Sequence, residues 1–330
     1  MKLANVCLVA LFITGPLSTH AAELKLPREG WASWEVVAVD QAPANCCFDG
    51  WDPKSRNHAT CRLDTNNQNM YSGDATTEKV RVYARFANGQ VNRLKSFSAD
   101  CPVKAESAIQ DLGAVEADDS ARWLAALLKQ RGTAGKKSEG DGAMAALALH
   151  RGDYSRDQLT AFAKTDARTE TRKDAVFWLS QSRGDEGASI TSSVMFGDKE
   201  EEVRKHAAFA LAQSDAARVG PDLIQLGNTD KVADVRSKAW FWLAQSGAQG
   251  AESAISAAMR KEPDEDVREQ AIFALSQLPD DRSAKALIAA AEDQTLSREQ
   301  RKKAVFWLSH SDSGEAIAYL DEVLARAAAL

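Results

Sequence analysis

Five segments that begin with Arg recur along the C-terminal two thirds of the chain. Their starts are separated by 32, 32, 32 and 33 residues. They read RKDAVFWLSQS from Arg172, RKHAAFALAQS from Arg204, RSKAWFWLAQS from Arg236, REQAIFALSQL from Arg268 and RKKAVFWLSHS from Arg301. A more divergent copy starts at Gly140 and keeps Ala143 and Leu147 at the matching positions. Such regular self-similarity predicts a repeat architecture in which each unit packs against its neighbours.

Each unit is predicted to contain two helices. The motif segments hold good helix formers without internal proline or glycine after the Arg, whereas breakers such as Gly220-Pro221 and Pro263-Asp264 lie in the connections. A second, more weakly apolar helix separates the motifs, for example around Ala254 to Met259. The last segment, Ala316 to Ala328, is expected to cap the array as a single helix.

The turn residues of the motif carry a family resemblance. Asp234-Val235-Arg236 and Asp266-Val267-Arg268 are each followed by Ala and Leu at fixed positions, and with these residues the units resemble short HEAT-like repeats of the phycobilisome-lyase type. The resemblance covers about residues 117 to 330. It implies that the Arg-bearing helix is the inner one, lining a concave side, and that Arg and Asp of successive repeats form a ladder. The last copy departs from the pattern, with Glu299-Gln300 in place of Asp-Val.

A helical wheel places two further repeated residues opposite the core. The Ala and Leu that stand three and seven residues after the Arg define the core face. Five residues after the Arg, every good copy has Phe: Phe177, Phe209, Phe241, Phe273 and Phe306. Four residues further on stand Gln181, Gln213, Gln245, Gln277 and His310. Since residues four apart share a helix face, we expect these side chains to line a groove for an extended or helical segment of a partner protein.

Two interpretations of the Phe row stay open, because the rings could instead be wedged between neighbouring inner helices. The position after each Phe alternates in size: Trp178, Ala210, Trp242, Ala274 and Trp307. Such alternation is typical of packing between neighbours, and exposed Trp anchors are the alternative interpretation. Trp240 adds a third aromatic beside Phe241 and Trp242, so we expect partner binding to centre there.

Residues 23 to 116 predict a small domain that contains β-structure. Trp34 to Val39 reads as one strand, and Lys79 to Phe86 alternates polar and apolar residues as a half-buried strand does. The turn Ala87-Asn88-Gly89-Gln90 links the latter to Val91 to Phe97, which predicts a β-hairpin.

The four cysteines of this segment predict two disulfide bonds. Because Cys46 and Cys47 are adjacent, their direct pairing would close a strained ring, and each is expected to pair with Cys61 or Cys101. Cys46, Cys47 and Cys61 could also bind zinc together with His58. Adjacent cysteines are unlike those of ordinary zinc knuckles, however, and an oxidising compartment favours disulfides.

The first 22 residues resemble a secretory signal peptide. Lys2 precedes an apolar stretch from Val6 to Ile13, and small residues lead to an expected cleavage after Ala21 or Ala22. The stretch is too short to span roughly 30 Å of hydrocarbon, so we expect a periplasmic or secreted protein without membrane insertion. The formal net charge of -6 and the absence of a Lys/Arg stripe argue against a nucleic-acid partner.

Catalytic signals are sparse. His58, His150, His206 and His310 are scattered, and there is no GxSxG, HExxH or phosphate-binding glycine loop. We therefore expect no catalytic residue, no cofactor and no metal site.

The sequence as a whole predicts an α+β chain. A signal peptide (1–22) and a disulfide-bonded, β-containing domain (23–116) precede an all-α, HEAT-like superhelical solenoid (117–330). The expected function is that of an exported scaffold that binds a protein or peptide segment on its concave face. One alternative makes the N-terminal domain the recognition element and the array a spacer, and another is a metal-dependent or lyase-like enzyme.

Overall fold

The computed structural model describes residues 24–47, 59–65, 70–71, 75–131 and 142–328, with strands first along the chain and helices after them. The strands are β1 (Gly30–Val37), β2 (Cys46–Cys47), β3 (Cys61–Arg62), β4 (Met70–Tyr71), β5 (Lys79–Ala87), β6 (Gln90–Ser98), β7 (Val103–Lys104) and β8 (Ile109–Ala114). The helices are α1 (Ala117–Arg131), α2 (Gly142–Leu149), α3 (Asp153–Thr165), α4 (Thr169–Ser182), α5 (Gly184–Gly197), α6 (Glu201–Ala212), α7 (Val219–Thr229), α8 (Ala233–Gln245), α9 (Ala251–Lys261), α10 (Glu265–Ser276), α11 (Asp280–Glu292), α12 (Arg298–Leu308) and α13 (Gly314–Ala328). The fold is therefore α+β, with a helical repeat region after a β-containing one. The predicted leader lies outside the described residues.

Four strands form the main sheet, in the order β6-β5-β1-β8. The predicted hairpin is confirmed as β5 and β6, and its turn residues Asn88 and Gly89 have φ angles of 53° and 73°. A type I′ turn requires positive φ at both of these positions. The strand predicted from Trp34 to Val39 begins earlier, at Gly30, and ends at Val37. β8 runs parallel to β1 and is a strand that the sequence analysis does not predict.

The two faces of the sheet belong to different cores. On one face Trp34, Val82 and Phe86 are buried in a core that continues without a break through the helices. On the other face Trp31 and Phe97 pack with the cysteines in a second, smaller core. The sheet therefore joins the helical array as its first layer.

Both predicted disulfides are present in the second core. Cys46 is bonded to Cys101 and Cys47 to Cys61, with Cα atoms 5.7 Å and 5.2 Å apart. These two bonds decide between the pairings that the sequence leaves open, and they leave none of the four sulfurs as a thiolate for the zinc alternative. His58 lies outside the described residues.

A buried polar chain connects the sheet to the helices. The indole nitrogen of Trp34 donates to Ser120 Oγ on α1 (2.7 Å), and Ser120 Oγ lies 2.7 Å from His150 Nε2. His150 follows α2, and its Nδ1 lies 2.6 Å from the carbonyl oxygen of Ala146. A carbonyl only accepts, so Nδ1 carries the proton and Nε2 accepts from Ser120. Every member of the chain is thereby satisfied with a neutral imidazole.

The helices alternate between two layers. The outer helices are α1, α3, α5, α7, α9, α11 and α13, and the inner helices are α2, α4, α6, α8, α10 and α12. The five motif copies lie on α4, α6, α8, α10 and α12, and the divergent copy lies on α2. Neighbouring inner helices contact each other more extensively than neighbouring outer helices do, so the inner layer is the more closely packed of the two.

The predicted core face of the motif is confirmed by burial. The Ala and Leu at three and seven residues after the Arg are 0% exposed in all five copies: Ala175, Leu179, Ala207, Leu211, Ala239, Leu243, Ala271, Leu275, Ala304 and Leu308. Small Ala side chains let the helices approach closely, while Leu fills the space between layers. Among the described residues, no helix has the length and apolarity needed to cross a membrane.

A row of buried ion pairs joins successive repeats. In each pair the first Arg of a motif meets a carboxylate 26 residues later, at the end of the next outer helix. The pairs are Arg172–Asp198 (2.8 Å), Arg204–Asp230 (2.7 Å) and Arg236–Glu262 (2.7 Å). Each guanidinium also donates to the backbone carbonyl six residues before it, so it ties two connections together. The family resemblance suggests that the acids of this ladder are turn residues such as Asp234. In the structure they are instead the carboxylates at the ends of the outer helices.

The ladder ends at Arg268. The residue 26 positions further on is Gln294, and the neighbouring Asp293 pairs with Arg260 instead (2.6 Å). Hydrogen bonds from Thr295 and Arg260 lower the pKa of Asp293 to about 2. Among the residues that the structure describes, Arg268 donates only to the carbonyl oxygens of Glu262 (2.7 Å) and Pro263. The longer 33-residue spacing in this repeat coincides with the missing rung.

Candidate binding groove on the inner helices

The repeated Phe residues form a row of rings along the inner helices. Phe177 of α4 stacks on Phe209 of α6, with ring centroids 6.0 Å apart and 8° between the planes. Phe241 of α8 stacks on Phe273 of α10 in the same way, at 5.9 Å and 12°. All four rings are half-buried. Each ring therefore packs between neighbouring helices and keeps an exposed portion, and partner binding by that portion stays a prediction.

The Trp residues close the gaps between the stacked pairs. Phe209 contacts Trp242 of the next repeat at 4.8 Å, and Phe273 contacts Trp307 at 4.9 Å. On its own helix Trp242 meets Phe241 edge to face, also at 4.8 Å. The rings thus make one continuous row from α4 to α12, which we call the aromatic row. It ends at Phe306, which is 51% exposed.

The small residues of the alternation lie in a different place. Ala210 and Ala274 are fully buried between the helices, whereas Trp242 and Trp307 are half-buried and turned toward the preceding repeat. If two neighbouring repeats both had Trp at the position after the Phe, the two indole rings would compete for the same space beside one Phe. The alternation of Trp and Ala in the sequence therefore serves the packing of two neighbouring repeats against each other.

The amide positions form a second row beside the rings. Gln213 and Gln245 are exposed, and Gln277 is half-buried. Gln245 Nε2 donates to Gln277 Oε1 across 3.1 Å, so neighbouring repeats are linked here as well. Gln181 is half-buried, and its Nε2 has no hydrogen-bond partner among the described residues. At the other end the ring of His310 lies 4.6 Å from that of Phe306.

Trp240 does not belong to this surface. It is only 1% exposed and lies behind the aromatic row, against Gly227 of outer helix α7. Four residues after the Arg, a side chain points toward the outer layer rather than opposite the core. The prediction that Trp240 forms part of a partner-binding centre is therefore wrong in its placement, because the ring is inaccessible to a partner.

A third row, which the sequence analysis does not single out, is acidic. Two residues before the Arg, every good copy has a carboxylate: Glu170, Glu202, Asp234, Asp266 and Glu299. All five are exposed, and each lies on the same helix face as its Phe, seven residues later. We call this set the acid row. The fixed position of these acids in the repeat is a signal from which the row could have been predicted. Acids are also common in the first turn of a helix, however, because they interact favourably with the helix dipole.

The aromatic row and the acid row border two open clefts. A central cleft of about 750 Å³ lies between α8 and α10, around Phe241 and Phe273. Its charged lining residues are Asp234, Asp264, Asp266, Glu269 and Lys238. An end cleft of about 550 Å³ lies between α10 and α12, with Phe306, Trp307, Lys302 and Lys303 on its wall. The inner side of the array therefore offers depressions of side-chain size along its C-terminal half.

His206 occupies the groove near its N-terminal end. Its ring lies 5.5 Å from that of Phe209, and burial together with the nearby Lys173 lowers its pKa below the ordinary value. The imidazole is therefore neutral at neutral pH and acts as a further flat surface. Within the described ranges, no three His, Cys, Asp or Glu side chains converge as a metal site requires.

A match to a family model supports the repeat architecture. Residues 221–305 match the family model of HEAT repeats. A search of curated proteins finds no significant match. Human deoxyhypusine hydroxylase in complex with glycerol is similar in structure at 16% identity, over 61% of this chain and 77% of that chain, with a TM-score of 0.33. The Escherichia coli protein YibA is similar at 20% identity, over 62% of this chain and 77% of that chain, with a TM-score of 0.38.

At these identities neither structure bears on activity. The family match lies within the segment where α7 to α12 alternate between outer and inner layers. The helical part of this chain is an array of two-helix repeats, and residues 221–305 of it match HEAT repeats.

Proposed function

We propose that this protein is an exported scaffold that binds a segment of another protein along the inner side of its repeat array. The observation that carries the proposal is the aromatic row, which is continuous over five repeats yet only half covered by the chain itself. Half-exposed rings beside a row of amide side chains provide apolar contact together with donors and acceptors for a peptide backbone.

Binding rather than catalysis fits the chemistry of the groove. His150 is fully buried, and both of its ring nitrogens take part in the row of hydrogen bonds that joins the sheet to the helices. His206 and His310 lie against Phe rings. The Ser309 hydroxyl lies 3.4 Å from His310 Nδ1, but it donates its proton to the Phe306 carbonyl oxygen rather than to the imidazole. General acid-base or nucleophilic catalysis needs an oriented partner.

Export fits the disulfides. Two bonds tie the second core together, and such bonds persist in oxidising compartments. Mass spectrometry of the protein purified from the expressing cell tests this step. We expect the mature chain to begin at Ala22 or Glu23; a chain that retains Met1 to Ala21 in the oxidising compartment would contradict cleavage.

Site-specific photo-crosslinking tests the groove. A benzophenone amino acid is placed at Gln213 or Gln245 on the inner side, and at Gln225 on outer helix α7 as the matched control, because all three glutamines are exposed. We expect adducts with a second protein from the two inner positions and none from the outer one. Adducts only from Gln225, or from no position, would refute inner-side binding.

A triple variant provides an independent check. Gln213→Ala, Gln245→Ala and Gln277→Ala together remove the accessible amides and should abolish the adduct formed from a benzophenone at Glu202. Gln225→Ala serves as the control and should leave that adduct unchanged. Because these amides lie at the surface, we expect the melting temperature of the triple variant to stay near that of the wild type.

A further inference from the structure

We infer that the segment bound in the groove is basic, with Lys or Arg side chains whose stems lie on the aromatic row and whose charged ends meet the acid row. This inference rests on the proposed function and names the chemistry of the partner.

The acid row and the aromatic row run side by side along the array. On each inner helix the carboxylate precedes the Phe by seven residues, close to two helical turns and about 10 Å along the axis. A segment lying across the inner helices therefore meets an apolar lane and an acidic lane at the same time in every repeat. Lys and Arg suit such a pair of lanes, because they bury their methylene stems on apolar surface while the charged ends stay solvated or paired.

Toward the two ends of the acid row, the negative charge of each carboxylate is compensated by a lysine of the same helix. The residue after the motif Arg is Lys in α4, α6 and α12, and it pairs with the acid three residues earlier. The three pairs are Lys173–Glu170 (3.1 Å), Lys205–Glu202 (2.6 Å) and Lys302–Glu299 (2.8 Å). In these repeats the array supplies its own cation.

The two central repeats lack this lysine. Ser237 stands at the position in α8 and Glu269 in α10, so the cation is replaced by a hydroxyl in one repeat and by a further carboxylate in the other. Asp266 is exposed and forms no ion pair with any residue that the structure describes. The centre of the groove is therefore where an external cation has the least competition.

The central cleft shows the same imbalance. Four carboxylates and one ammonium group, Lys238, line it. Lysines of neighbouring repeats reach two of the acids, in the pairs Lys205–Asp234 and Lys303–Glu269 (3.0 Å). Asp264 caps α10 by accepting from the amides of Asp266 and Val267, which leaves its negative charge in place. Around Phe241 and Phe273 the four carboxylates thus outnumber the three ammonium groups that reach them, those of Lys238, Lys205 and Lys303, and the complement of this excess negative charge is a cationic segment.

A second copy of this chain is a poor occupant by comparison. The chain carries a formal net charge of -6, so an acidic surface would approach an acidic groove. Nucleic acid is disfavoured for the same reason, since phosphates select basic surfaces.

Peptide binding to the full mature chain tests the inference. Fluorescein-labelled decapeptides of alternating Lys and Leu, or of alternating Glu and Leu, are titrated and their anisotropy is measured at low salt. We expect the Lys-Leu peptide to bind and the Glu-Leu peptide to stay free. The double variant Asp234→Asn, Asp266→Asn should weaken Lys-Leu binding about fivefold, since exposed ion pairs each contribute modestly.

The control variant makes the same change of charge elsewhere. Asp321→Asn, Glu322→Gln alters two exposed acids of α13 and should leave the dissociation constant unchanged. Equal binding of the Glu-Leu peptide, equal weakening by both double variants, or no binding of the Lys-Leu peptide would overturn the inference. If inner-side adducts still form in the photo-crosslinking experiment, the proposed function survives that result; loss of those adducts would remove both.

Discussion

The ring of Phe209 lies parallel to the ring of Phe177 in the preceding repeat, with 6.0 Å between their centroids, and its other neighbour is Trp242 at 4.8 Å. One side chain thus contacts both adjacent repeats. The surface proposed to bind a partner is therefore also a part of what holds the array together, and the two roles have to be separated by experiment.

Removing the Phe209 ring should destabilise the array. Phe209→Ala removes a half-buried ring and its contacts with the rings of Phe177, Trp242 and His206, so we expect the free energy of unfolding to fall by about 2 kcal/mol. Phe306→Ala is the matched control, because Phe306 is 51% exposed at the end of the row. It should cost less than about 1 kcal/mol. Urea denaturation followed by circular dichroism measures both, and equal losses would contradict the packing role of Phe209.

Breaking one ion pair of the ladder should lower the free energy of unfolding more than removing the Phe209 ring does. Arg204 and Asp230 are almost fully buried, with 4% and 6% of their side chains exposed. Arg204→Ala leaves the Asp230 carboxylate buried without its partner, and we expect a loss of about 3 kcal/mol. Arg268 provides the control within the same fold, since it keeps the carbonyl contacts but has no carboxylate. Arg268→Ala should cost about 1 kcal/mol, and the difference between the two unfolding midpoints reports the ion pair.

The contact between Gly227 and Trp240 predicts a steric effect. A Cβ atom at Gly227 would lie 2.5 Å from the Trp240 ring, whereas a Cβ atom at Gly197 would meet nothing within 4 Å. Gly227→Ala should therefore lower the stability by about 1–3 kcal/mol, because the outer helix must move away from the ring. Gly197→Ala should be neutral or slightly stabilising. Differential scanning calorimetry distinguishes them, and a neutral Gly227→Ala would mean that the Trp240 ring has room to move.

His150 predicts an acid sensitivity. Burial lowers its pKa from 6.5 to about 4, despite the hydrogen bond to the Ala146 carbonyl. In the unfolded chain the imidazole takes up a proton below about pH 6.5, while the folded chain resists it, so stability is lost as the pH falls from 6.5 toward 4. The loss approaches about 3 kcal/mol at the lower end.

A variant isolates this contribution from that of the carboxylates. His150→Gln has no titrating group, and although its stability is lower at neutral pH, it should depend less on pH between 6.5 and 4. Urea midpoints at several pH values measure the two slopes. Parallel slopes for the wild type and the variant would show that His150 takes up its proton equally in both states.

Local patterns carried most of the architecture. The hairpin followed from Asn88-Gly89 between two alternating segments, and the core face followed from Ala and Leu at helical spacing, because both signals depend only on near neighbours along the chain. The disulfide partners followed from the adjacency of Cys46 and Cys47, although the choice between Cys61 and Cys101 needed the folded chain.

The features that could not be predicted from the sequence depend on contacts between residues that are far apart along the chain. β8 pairs in parallel with β1, some eighty residues earlier, and a six-residue segment holds little trace of that partner. The burial of Trp240 depends on Gly227, which belongs to the preceding outer helix. The carboxylate of each ladder rung lies 26 residues after its Arg, beyond the reach of a single helix pattern. The acid row was visible in the repeat, but its position in a first helical turn already had a local explanation.

The alternation of Trp and Ala after each Phe gives the array a true period of two units. Phe209 and Phe273 each need a Phe on one side and a Trp on the other, which only a pair of unlike neighbours supplies. Inside an array of this kind, units can be removed or inserted without disturbing the alternation only two at a time. Deleting a single internal unit would bring two Trp-bearing helices, or two Ala-bearing ones, side by side, so an internal deletion that preserves the packing is expected to remove about 64 residues.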